Sequence, residues 1–100
     1  MPVLHIALHE GFLDDTVEID VNGREVFRRD GVTTRLQIGK ADSFDTTVEG
    51  DSATVHVTLP GRNVSEKIVV PEVSSTVYLA VSIENGKVAH RISSEPFGYL

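Results

Sequence analysis

The chain has 100 residues, with 15 Asp and Glu against nine Lys and Arg, no cysteine and a formal net charge of −6. That length makes a single domain spanning residues 1–100, large enough to bury a core without disulfide or metal cross-links. The acidic balance disfavours a nucleic-acid partner, which asks for clustered Lys and Arg. The missing thiols exclude cysteine nucleophiles, disulfides and thiolate-held metal.

Val3 to His9 alternates, with Leu4, Ile6 and Leu8 on one face and His5, Ala7 and His9 on the other. This period of two marks a strand. The run has no basic segment before it, and nowhere does the chain approach the roughly 18 apolar residues of a membrane span. The expected setting is therefore cytoplasmic, with no membrane contact. Glu10 to Asp15 reads as a connection broken at Gly11. Asp15 to Phe27 then reads as a β-hairpin turning at Asn22-Gly23, a pair suited to a type I′ turn because both central residues need positive φ. Val17, Ile19 and Val21 form its apolar face. A two-residue turn sets Ile19 opposite Val26 and Val21 opposite Arg24.

Asp30-Gly31 reads as the close of that arm, and Val32 to Ile38 as a further strand. Gly39 to Gly50 shows no convincing period and reads as a long loop, with Phe44 pinning it to the core. Ala53 to Leu59 alternates cleanly, and Pro60-Gly61-Arg62-Asn63 supplies a turn. Val64 to Val70 is the next strand, ended by Pro71, which has no N–H for a ladder. Its phase is ambiguous, since Glu66 falls in step with Ile68 and Val70. Thr76 to Ile83 buries Val77, Leu79, Val81 and Ile83. A second Asn-Gly turn, at Asn85-Gly86, sets Glu84 opposite Lys87 and Ile83 opposite Val88. The last strand ends near Ile92, and Ser93 to Leu100 forms a tail.

About eight short strands with no amphipathic helix predict an all-β antiparallel sandwich, immunoglobulin-like or jelly-roll in type. A small β-barrel is the alternative.

Chemistry is less legible. His5 and His9 share a face but lie roughly 13 Å apart at about 3.3 Å per residue, too far to share one metal. A histidine site needs His56 or His90 to stand beside one of them. The acids are better candidates: Asp14 and Asp15 from one connection, and Asp42, Asp45, Glu49 and Asp51 from the long loop or just past it. Calcium takes about six to eight oxygens in a flexible cage, which Asp14, Asp15, Asp42, Asp45 and Asp51 supply if their loops meet. No EF-hand spacing is present. Serines are plentiful, but none sits in a Gly-x-Ser-x-Gly elbow, and no phosphate-cradling loop occurs. An enzyme is not expected.

The apolar tail residues Phe97, Tyr99 and Leu100 must cover something, either this domain's own core or a partner. Tyr78, out of phase with Val77 and Leu79, adds with Ala80 a modest contact surface. The expected function is a non-catalytic binding or assembly module, with a homodimer as one form of it, acting through an edge strand, exposed loops or the aromatic tail. The alternative is a calcium-dependent carbohydrate-binding module, although no Trp is present to stack on a sugar.

Overall fold

The computed structural model describes residues 2–35, 39–73 and 75–95. Its strands are β1 (Val3–Leu8), β2 (Asp15–Val21), β3 (Arg24–Val32), β4 (Asp42–Thr47), β5 (Ala53–Leu59), β6 (Val64–Val70), β7 (Val77–Glu84) and β8 (Lys87–Ser93). They form two four-stranded sheets, in the orders β4-β1-β7-β8 and β3-β2-β5-β6. The two sheets pack together as a sandwich, not a closed barrel. Among the described residues the only helical piece is the 3-10 turn Pro60–Arg62, and no helix is long and apolar enough to cross a membrane.

Alternation in the sequence becomes alternation in burial. β2 and β5 each bury every second residue, so Val17, Ile19, Val21, Val55, Val57 and Leu59 form one wall of the core. Leu4, Ile6, Leu8, Leu79, Val81 and Ile83 form the other. At roughly 25 cal/mol per Å² of apolar surface removed from water, this interdigitated layer is the main driving force for the fold. The Asn22 turn is also tied across the sheet. Its Oδ1 accepts from the Thr54 N–H at 2.8 Å, and its own N–H donates to the Thr54 carbonyl at 2.9 Å.

Four expectations need correction. First, Val21 does face Arg24, but Ile19 faces Phe27 and not Val26, because the register shifts between Ile19 and Asp20. The extra residue is a β-bulge, which bends the strand and re-aims the side chains beyond it. Second, the strand does not stop at Asp30-Gly31. β3 continues to Val32 through a second register shift, with Gly31 at φ +69°. Thr33 and Thr34 then leave the ladder; Thr34 is buried, its hydroxyl donating to the His9 carbonyl at 2.6 Å and accepting from the Phe12 N–H at 3.1 Å. The rest of the expected strand, Leu36 to Ile38, lies outside the described residues.

Third, the expected long loop contains β4, paired antiparallel with β1. Its sequence, Asp-Ser-Phe-Asp-Thr-Thr, buries no residue fully and so carries no apolar period. Backbone pairing to β1 makes it a strand. Fourth, one pair is parallel: β1 runs alongside β7 with Ile6 level with Leu79. Parallel neighbours require a long crossover, and here the crossover includes the opposite sheet.

The phase of β6 is now settled. Glu66 pairs with Val57 and so lies on the core-facing side, yet it is exposed because β6 is an edge strand.

Candidate functional site

The five acids considered for calcium do not converge. Asp14, Asp15 and Asp42 lie at one end of the sandwich, where β2 and β4 start and β3 ends. Asp45 sits inside β4, and Asp51 lies just before β5 at the opposite end. A seven-residue strand at about 3.3 Å per residue separates the two ends by roughly 20 Å, so one cage cannot use both. Among the described residues, no group of three or more His, Asp or Glu side chains could hold a metal.

Three of these carboxylates already have side-chain partners, two of them arginines. Asp15 is bound by Arg62, with Nε at 2.8 Å from Oδ1 and the second nitrogen at 2.9 Å from Oδ2. The Leu13 N–H adds a bond at 2.9 Å, and Arg62 also donates to the Gly11 carbonyl at 3.0 Å. Burial pushes the Asp15 carboxyl up; the Arg62 bonds, the Leu13 N–H and the Arg62 charge outweigh it and hold the group below the ordinary carboxylate range. Asp42 pairs with Arg29 of β3, and Asp45 with Nδ1 of His5 across the β1–β4 ladder.

Melts in excess calcium and in EDTA are therefore expected to coincide. A site occupied at a hundredfold excess over Kd would add about 2.7 kcal/mol, visible as a rise of roughly 10 °C or more.

The histidines divide between the sheets. His5 lies on the outer face of its sheet beside Tyr78, ring centroids 5.4 Å apart. His56 is in the other sheet, 2.6 Å from the Ser65 hydroxyl. His9 and His90 both border a polar cleft of about 320 Å³, lined also by Glu10, Ser82, Glu84 and Arg91. The register nevertheless sets them on opposite faces of the sheet: His90 is opposite core-facing Val81, and His9 follows Leu8 on the outer side. Burial lowers the His9 pKa, Arg91 and Lys40 push the same way and Glu10 opposes them, which favours the neutral ring near neutral pH. The cleft opens directly to solvent. Ser82, its one hydroxyl, lies 3.4 Å from the Glu10 N–H.

Of the expected contact residues, Tyr78 is half-buried on that outer face, while Ala80 is only 5% exposed and adds little surface. Phe97, Tyr99 and Leu100 lie outside the described residues.

The two sides of the sandwich differ. Where β3 lies beside β4, Phe27 stacks on Phe44 at 4.6 Å and 11°, Arg29 covers Phe27 at 5.6 Å, and the Arg29–Asp42 pair clips the sheets together. Where β6 lies beside β8, Val69 and Ile92 are 59% and 40% exposed. The only other exposed large apolar side chain among the described residues is Leu13.

Ile92, opposite Leu79, lies on the core-facing side of β8, whereas Val69, opposite Thr54, points to the outer face of its own sheet. The His9 N–H donates to the Val81 carbonyl at 2.7 Å and the Ile83 N–H to the Glu10 carbonyl at 2.8 Å. The odd-numbered residues of β7 thus direct their backbone groups towards the β1 side. Because the two sides alternate along a strand, the even-numbered residues of β7 serve β8, through Lys87, Ala89, Arg91 and Ser93. Val88, His90 and Ile92 are left with N–H and C=O groups directed at an edge that no described strand covers. The Asn85-Gly86 turn predicted this strand; which of its amides face outward needed the β7 register.

Comparison with protein-family models, curated proteins and solved structures finds no match to this chain.

Proposed function

We propose that the protein is a non-catalytic binding or assembly module that works by strand addition at the β8 edge. The observation that supports this reading is the coincidence, on β8, of outward-directed backbone groups with an exposed Ile92. An open edge supplies main-chain hydrogen bonds, and alternate side chains supply selectivity. The other edges are better defended. β3 carries Arg24, Glu25, Arg28, Arg29 and Asp30 and two register shifts; charge and bulges both discourage pairing. β4 is clipped to β3, and β6 turns Glu66 towards the core side, an inward charge that resists a new neighbour. A cysteine-free composition suits such a module in a reducing, cytoplasmic setting.

The test is sedimentation of the purified chain with and without Ile92→Lys. The unsubstituted protein is expected to show a mass above one chain. Ile92→Lys should raise its dissociation constant at least tenfold, equivalent to about 1.4 kcal/mol, with the circular dichroism spectrum unchanged. A single-chain mass at all concentrations, or a mass indifferent to the lysine, would sink the reading.

A further inference from the structure

We infer that the partner strand is β8 of a second copy, paired antiparallel about a two-fold axis through His90. This rests on the edge-strand reading above and names its partner. Two-fold antiparallel pairing imposes two conditions. Residues directly opposite must share a sheet face, and their backbone groups must meet. With Val88, His90 and Ile92 directing amides outward, three registers near the middle of β8 satisfy both, centred on Ala89, His90 or Arg91.

Charge separates them. Centring on Ala89 sets Lys87 of each copy against Arg91 of the other. Centring on Arg91 sets the two Arg91 side chains against each other. Like charges directly opposite destabilise a sheet. Centring on His90 avoids both: Lys87 faces Ser93, Ala89 faces Arg91, Val88 faces Ile92 twice, and the two His90 side chains face each other on the axis.

This register also uses the whole seven-residue strand, and every outward N–H and C=O of Val88, His90 and Ile92 finds a partner. Val88 and Ile92 lie on the same sheet face as Ile83 and Leu79, their partners in β7. The new apolar pairs therefore extend the core-facing side of the sheet, and the exposed part of Ile92 is covered by Val88 of the other copy. The product is a continuous eight-stranded sheet crossing the two-fold axis.

A chain without cysteine lets single cysteines report the register. Cα atoms of a hydrogen-bonded antiparallel pair lie about 5.5 Å apart, inside the roughly 4.4–6.8 Å span of a disulfide. His90→Cys is therefore expected to give a covalent dimer under mild oxidation in native buffer, and much less in urea. Val88→Cys sits four positions from its own counterpart, roughly 13 Å away, and should stay single. The double variant Val88→Cys with Ile92→Cys should link as His90→Cys does, and serves if position 90 tolerates no change.

Efficient linking through Ala89→Cys or Arg91→Cys instead would overturn the His90 register while leaving assembly at β8 intact. A mass above one chain with no linking along β8 would overturn this inference and move assembly to another edge. A single-chain mass for the unsubstituted protein would remove the edge-strand reading itself.

Discussion

Gly11→Ala is expected to lower the thermal midpoint by roughly 12 °C or more, through a loss of about 3 kcal/mol. Gly11 has φ +91°, where an L side chain is strained. A Cβ there would also fall well inside the van der Waals radius of the Ile83 carbonyl oxygen, and 2.9 Å from the carbonyl carbon. Ile83 cannot retreat cheaply, because its N–H is bonded to the Glu10 carbonyl and its side chain is buried in the core. The effect should be specific to this site. Gly50→Ala, at the same φ but with open space around its Cβ position, should lose less. Equal losses in the two melts would show that backbone strain alone, and not the approach of Gly11 to β7, sets the requirement.

The second large effect is expected at Arg62. Arg62→Met leaves the Asp15 carboxylate, 8% exposed, with the Leu13 N–H as its remaining bond. Breaking a buried pair from one side costs about 3 kcal/mol, more than the pair itself contributes, because the remaining charge stays desolvated. The pH dependence fixes the cause. Asp15 titrates in the folded protein below its unfolded value near 3.8. Its contribution is therefore fully present above pH 3.8 and is lost as the pH falls through the lower, folded value. The gap between wild type and Arg62→Met, measured by denaturant titration, should be full at pH 7 and shrink steadily below pH 4. A constant gap across that range would assign the loss to the packing of the Arg62 side chain instead of to charge. Removing both partners, as in Arg62→Met with Asp15→Asn, should recover part of the loss, since the buried group is then neutral.

Much of this architecture is written locally. Each strand whose apolar residues recur at every second position, such as Ala53–Leu59 and Val77–Glu84, forms where the alternation places it. Both Asn-Gly turns form hairpins, with Asn22 and Asn85 at positive φ. The pairs Glu84 with Lys87 and Ile83 with Val88 follow from turn length alone. The first hairpin matches only as far as Asp20, because a bulge leaves no mark in a composition already dense in charge.

The candidate surface was less legible. A list of acidic residues suggested calcium because the sequence records which side chains are present and not which cations stand opposite. Asp15 and Arg62 are 47 residues apart along the chain, and Asp42 and Arg29 are 13. The first forms only once β5 pairs with β2 and brings the Pro60–Arg62 turn to the start of β2, and the second only after the two sheets close.

The sequence by itself determined the class of fold, most of the strands, the two tight turns and the apolar half of each strand, because periodicity and turn chemistry act over a few residues. Tertiary structure alone decided that the polar segment Asp42–Thr47 is a strand, that β1 lies parallel to β7, and that the β3 and β4 side is closed by a stacked pair and an ion pair. It also decided that β8 is an edge strand, with no neighbour on its outer side among the described residues. Backbone hydrogen bonding is blind to side-chain identity, so which strands lie inside a sheet and which lie at its edges depends on the path of the whole chain.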